Sequence, residues 1–261
     1  MLTRNLFALA ALLPSLVLSA HAQTPQAPAS YAVISLVGDQ LDVITYQPQL
    51  GTLADANTHS SLRFSEDLLD TVALRAVNRA VKATQPGADV ALLAATLPAT
   101  FADQAGFFQG DKVKLPSEVD EALRQEKAAT LVLVTKHRGE AKLAVRDGHL
   151  GGGKLEGLGF YIDVNMPMET ADRLHQSVGF IAPFVYVDVS LVDVATGRLI
   201  RQTTIRATET ITSSSNEQGA DAWGAMTAKE KVSALSGLLT QNLAAAIPHL
   251  VDPSQPERHA Q

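Results

Sequence analysis

The chain contains no cysteine in its 261 residues, which excludes disulfides, thiolate metal sites and cysteine nucleophiles. It is also short of positive charge: 21 Lys and Arg stand against 27 Asp and Glu, a formal net charge of −6. That balance lacks the basic footprint that binding a nucleic-acid backbone requires, so no nucleic-acid partner is expected. Beyond the first 22 residues, no run approaches the 18 consecutive apolar residues of a membrane-spanning helix. What is present is ordinary for a globular chain, 46% apolar and 18% charged. This excludes disorder, collagen and coiled coil and leaves enough apolar material for a substantial core.

The amino terminus follows the pattern of a cleavable secretory signal. Arg4 supplies the early positive charge, Leu6 to Leu18 the apolar run, and Ala20 and Ala22 the small residues before polar Gln23. Cleavage is predicted after Ala22, leaving 20 basic against 27 acidic side chains and a mature charge of −7. The expected destination is the periplasm, and without a cysteine at the cleavage point the chain is not expected to be lipidated. Residues 23–30 read as a flexible leader, 31–250 as one domain and 251–261 as a flexible tail.

Within that domain, Tyr31–Val37 and Gln40–Tyr46 flank Gly38-Asp39 and predict a β-hairpin. Ser65 sits where a helix N-cap belongs, followed by Leu68, Leu69, Val72, Ala73, Ala76, Val77 and Ala80 at helical spacing up to Pro86-Gly87. Residues 88–97 are apolar on both parities, as in a strand covered on both faces or a central one. Glu118–Lys127 predicts a second helix and Thr130–Thr135 another buried strand, while 165–179 is mostly polar. Val185 to Ile211 reads as a long antiparallel hairpin turning at Asp193–Gly197, with one face packed and one wet. A closing helix from Thr227 to Pro248 carries Val232, Leu235, Leu239, Leu243, Ala246 and Leu250 on one stripe. Together these predict an α+β fold: a layered α/β sandwich with a mixed, largely antiparallel sheet packed by two or three helices.

Chemical motifs are weak throughout. Gly148–Lys154 (GHLGGGK) matches the start of a phosphate-cradling loop, but Leu155 replaces the magnesium-binding hydroxyl and the loop runs into a strand. Glu169, Asp172 and His175, with Met166 and Met168 upstream, are the nearest approach to a metal set; Glu169 and His175 diverge on a helix, and a solvated helical segment is the simpler reading. No serine stands in G-x-S-x-G or begins S-x-x-K. Asp147 and His149 lie two apart in sequence, which carries no geometric information. His137 reads as a strand-end residue and Asp39, beside Asp42, as part of a turn. No catalytic residue, cofactor or metal ligand set is therefore assigned. Gly157, Gly159, Phe160 and Tyr161 read first as a structural bulge and second as a recognition surface with both rings exposed.

The hairpin Val185–Ile200 (VYVDVSLVDVATGRLI) resembles that of cell-envelope proteins related to the curli-secretion protein CsgG and the amino-terminal domain of TolB, and the order of elements over most of 31–250 agrees. The resemblance implies an α/β sandwich used for assembly and docking without catalysis; no membrane-spanning hairpin or lipid anchor carries over. The expected function is a secreted periplasmic accessory or interaction module of the envelope, partnering envelope proteins or itself. The alternatives are a small-ligand- or metal-binding protein using the glycine-rich loop 146–161, and an enzyme whose motif is not evident.

Overall fold

In the computed structural model, residues 28–48, 55–63, 68–96, 98–145, 148–169, 176–211, 223–224, 226–252 and 254 are described. Residues 1–27, where the signal and most of the leader are expected, Ser65, and most of the expected tail lie outside them. The elements are, in chain order, β1 (Ser30–Ser35), β2 (Gln40–Thr45), β3 (Thr58–Arg63), α1 (Leu68–Thr84), β4 (Asp89–Leu93), α2 (Pro98–Ala102), β5 (Phe108–Gln109), β6 (Lys112–Val113) and α3 (Ser117–Gln125). Then come β7 (Thr130–Lys136), β8 (Arg138–Glu140), β9 (Leu143–Val145), β10 (Gly148–Leu150), β11 (Lys154–Glu169), β12 (Gln176–Asp193), β13 (Arg198–Thr208) and α4 (Ala228–Val251).

β12 is 18 residues long and carries two strands end to end along one side. β7 pairs antiparallel with Val187–Asp193, and β11 takes over from Tyr186 downward, while β13 covers the other side. Beyond β7 lie β1 and then β4, both parallel; beyond β11 lie β2, parallel, and β3, antiparallel. The sheet is therefore two half-sheets, β4-β1-β7 and β3-β2-β11, sharing β12 and β13. The result is the α+β architecture expected, with a mixed sheet.

This topology corrects the first predicted hairpin. β1 and β2 run in the same direction, parallel to β7 and β11 in turn, so Gly38-Asp39 interrupts one continuing line of chain and reverses nothing. Local alternation is the same in both arrangements; only the distant partners decide. Gly38, at φ 75°, supplies the left-handed residue that lets the line break.

Two buried polar side chains occupy the break. From α1, the Asp70 carboxylate accepts the Val37 N–H (3.0 Å) and the Gly38 N–H (3.1 Å). From the segment after α2, Gln104 donates to the Leu36 carbonyl (2.7 Å) and accepts the Lys136 N–H (2.8 Å). Both residues are buried, so backbone groups that the split takes out of the ladder are satisfied away from water.

The helix face is covered by α1 and α4. Leu69, Ala73, Val77 and Val81 of α1 and Leu235, Leu239, Leu243 and Ile247 of α4 meet Val33, Val132, Val134, Val185, Val187 and Val189. α4 starts at Thr227 as expected, with a capping box in which Glu230 N–H donates to the Thr227 hydroxyl and Thr227 N–H to the Glu230 carboxylate. Lys231, also buried, donates to the Trp223 and Met226 carbonyls and lies over the Trp223 ring. On the opposite face, Phe107, Leu115 and Leu123 cover the β1/β7 half. A flap made of β8, β9 and β10 covers the β2/β11 half through Ala141 and Leu143.

Other expectations change for the same non-local reason. Among the described residues β4 is an edge strand, paired only with β1, with Leu92 41% exposed. β12, expected wet on one face, is buried on both because it is the shared central strand, whereas β13 alternates as expected. The connector before Pro116 holds α2, a 3-10 turn and the small β5/β6 ladder. Residues 166–169 and 176–179 belong to β11 and β12 and form no helix. The first described element, β1, begins at Ser30, and Val251 still belongs to α4, buried.

Replacing Asp70 by Ala should leave the Val37 and Gly38 N–H groups buried without an acceptor. The expected loss is about 3 kcal/mol in denaturant unfolding. Asp70→Asn, which keeps one acceptor, should lose less; wild-type stability for Asp70→Ala would show that the carboxylate does not hold the break.

Candidate functional site

The two apolar clusters on the flap side do not merge. Val192 belongs to one and Phe184 and Tyr186 to the other, and the intervening residues on that face of β12 are Asp188 and Ser190. Where the clusters part, β7 also ends and the chain turns out into the flap at His137. A polar seam crosses the middle of the sheet there.

Its centre is His137, Asp188, Thr204 and Arg206. His137 Nδ1 lies 3.1 Å from Asp188 Oδ2, and the Thr204 hydroxyl donates to Asp188 Oδ1. Arg206 Nε and Nη2 lie 3.2 and 3.1 Å from His137 Nε2. A guanidinium has no acceptor, so Nε2 must accept its N–H hydrogen bonds; Nδ1 therefore carries the imidazole hydrogen and donates to Asp188. The His137 and Asp188 side chains are only 18% and 19% exposed. The imidazole ring also stacks on Tyr186 at 6.4 Å. Tyr186 in turn ties down the flap, its hydroxyl donating to the Glu140 carbonyl and accepting from the Lys142 N–H. Thr208 and Thr210 anchor the flap further along, at Ala144.

Acid–base catalysis needs an imidazole nitrogen that can exchange a proton with substrate. Both nitrogens of His137 are engaged, and the geometry is that of a brace between β7, β12 and β13. His137 is thus the strand-end residue its sequence position suggests. Its partners, 51 and 69 residues away, leave no local trace.

Beside the brace, burial pushes the Asp42 carboxyl up, opposed by Lys136 and His59 and reinforced by Glu156. The two glycines singled out in β11 serve close approach. A Cβ on Gly159 would stand 2.0 Å from the Asp42 carbonyl oxygen and 2.7 Å from the Phe184 ring. Gly157, at φ 65°, lies under the stem of Lys136. Neither marks a bulge: the β11–β12 register runs unbroken from Gly157 to Asp163 and shifts only between Asp163 and Pro167.

The expected recognition surface is corrected by burial. Phe160 and Tyr161 are both fully buried, because β11 lies inside the sheet and both its faces are covered. Phe160 meets Trp223 edge-on at 5.4 Å on the helix side. Tyr161 stacks near Phe180 at 6.3 Å on the flap side. Burial pushes the Tyr161 hydroxyl up to about 12, so it stays protonated and bonds the Gly152 backbone.

The glycine-rich loop is gripped from outside. Asn57 Nδ2 donates to the Gly152 carbonyl (2.7 Å), and the Asp55 carboxylate accepts the Lys154 N–H (3.0 Å). Burial alone would raise the Asp55 carboxyl, but the N–H donors of Lys154 and Asn57, with His59 beside it, bring it below the usual carboxylate range. Its own neighbours thus hold the loop at Gly152–Lys154. His149 is exposed on β10, whereas Asp147 lies outside the described residues. Of the weighed metal set, Glu169 falls in a strand and Asp172 and His175 lie outside. Among the described residues, no three His, Asp or Glu side chains converge on one point.

No family model and no curated protein matches the chain. Solved structures align over most of it at low similarity. PelC from Paraburkholderia phytofirmans, a dodecamer, is 14% identical over 86% of this chain and 89% of its own, at a TM-score of 0.33. A putative neuraminyllactose-binding hemagglutinin homolog from Helicobacter pylori is 8% identical over 88% and 86%, at 0.39. Protein XCC0632 from Xanthomonas campestris is 12% identical over 87% and 89%, at 0.36. At this distance none of them lends the chain an activity.

The Asp55 grip has a pH signature. Its folded pKa is depressed, so the stability it contributes is present above the unfolded value of about 3.9 and is lost as pH falls through the folded one. Hydrogen-exchange protection of the Lys154 amide, corrected for intrinsic rate, should drop below about pH 4. In Asp55→Asn it should be low and insensitive to pH over that range. Equal protection in both proteins would show that the carboxylate does not hold the loop.

Proposed function

We propose that this chain is an exported, non-catalytic accessory module of the bacterial cell envelope, working by docking to envelope proteins or to itself on a fold akin to that of the CsgG- and TolB-related proteins. The pattern of residues 1–22 supports export, and no described helix is long and apolar enough to cross a membrane. The observation that carries docking is the way the sheet ends. All six residues of β3 are exposed on an edge, and among the described residues β13 meets another strand on its outer side only at Arg198. Open strand edges present unpaired backbone donors and acceptors, the surface by which sheets recruit further chains. The groups at the seam capable of chemistry are engaged in bracing the fold.

Mild crosslinking in the periplasm of the source cell, followed by mass spectrometry, tests the reading. Enrichment of defined envelope proteins with a chain that starts at Gln23 is the expected result. A chain recovered without partners but carrying a stoichiometric small molecule or metal would contradict it and move attention to loop 146–161.

A further inference from the structure

We infer that copies of this chain join head to tail by sheet continuation, β3 of one copy adding to the open edge of β13 in the next. The inference rests on the docking reading and names one partner for it, a second copy. Three observations converge on this pairing.

The first is that the two edges belong to the same half-sheet, ordered β3-β2-β11-β12-β13. Among the described residues, no strand pairs with the outer side of β13 from Ile200 to Thr208, a stretch longer than the six residues of β3. The second is direction. β3 runs opposite to β2, β2 runs with β11, and β11 and β13 both run opposite to β12. β3 is therefore opposed to β13. A neighbouring copy in the same orientation presents β3 antiparallel to β13, the hydrogen-bonding pattern already used on both sides of β12.

The third observation is what lies beside the open edge. Where β13 ends, an open groove of about 410 Å³ runs between Glu209 and Ile211 on one side and α4 on the other, where Ala234, Gly237 and Leu238 alternate with the polar Glu230, Ser233 and Gln241. Small residues on that stripe leave room at the helix surface; an added Cβ on Gly237 would touch nothing within 4 Å. On β3, Leu62 stands opposite Leu41 and Ser60 opposite Val43. Leu41 and Val43 point into the cluster beneath α1 and α4, so Leu62 and Ser60 project on the helix side of the sheet. A β3 strand added to β13 with the sheet faces in register thus carries Leu62, 42% exposed in the single chain, over the floor beside α4, where Ile211, Ala234 and Leu238 supply the apolar part. Pairing two β3 strands with each other offers Leu62 no such floor.

Because donor and acceptor edges differ, each added copy keeps a free edge. The contact is heterologous and closes into a ring if its rotation permits, or extends as a filament.

The absence of cysteine makes the test clean. The full chain carrying both Leu62→Cys and Gly237→Cys, treated with a short bis-maleimide, should give a ladder of covalent oligomers. A mixture of the two single variants should give one linked dimer and nothing larger, and Leu62→Cys alone should give none. Leu62→Lys, an exposed position that should leave the circular dichroism unchanged, should weaken self-association by about 10-fold or more in sedimentation equilibrium. Linkage of Leu62→Cys chains to each other, or an unlinked monomer from the double variant, would overturn the inference. If that monomer still captures envelope proteins, self-pairing falls and the docking reading stands; a monomer that captures none removes both.

Discussion

One strand, β12, is long enough to serve two ranks of neighbours, and the molecule is organised by that mismatch in length. No other strand on its β7/β11 side spans it, so the chain must leave the sheet between Lys136 and Gly157 and return, and β1 must break before β2 for the same reason. A break inside a sheet removes backbone groups from the ladder at a depth where water cannot reach them, which is costly unless side chains step in. Asp70 and Gln104 do so at Val37, Gly38, Leu36 and Lys136. Asp188, His137 and Arg206 close the same line on the flap side. The polar groups that look most like chemistry are those the split requires.

What the sequence made legible was local. The turn Asp193–Gly197 could be read because Asp193 closes it upon itself: its carboxylate accepts the Thr196 N–H and hydroxyl, bonds that hold that carboxyl below the usual range. α1 and α4 could be read from their periodicity. What depended on distant partners was not legible. Tyr31–Val37 and Gln40–Tyr46 have the composition of a hairpin, yet the strands that fix them lie about a hundred residues downstream. The apolar run of β4 suggests a centre and lies at an edge. Gly157 and Gly159 were visible as unusual, but only the Asp42 carbonyl and the Lys136 stem explain them. The brace at His137 ties the end of β7 to β12 and β13, and none of its members carries a motif.

The same organisation separates inside from outside in functional terms. Burial places the aromatic pair Phe160 and Tyr161 in the core and the glycine loop under Asp55 and Asn57. Among the described residues, the rim stays open to other molecules: β3, β4 and the outer side of β13, where hydrogen-bonding capacity and isolated apolar residues such as Leu62 and Leu92 are exposed together. A sheet that is braced in its middle and open at its ends suits a part that is added to an assembly.

The central claim is that β12, with the polar groups at the break, makes the two half-sheets one cooperative unit. Native-state hydrogen exchange as a function of denaturant measures this directly. The amides of β7 from Leu131 to Val134 and those of β11 from Leu158 to Ile162 should open with the same free energy and the same denaturant dependence. If the β11 rank opens well below the β7 rank, in a separate step, the half-sheets are independent and the account is wrong.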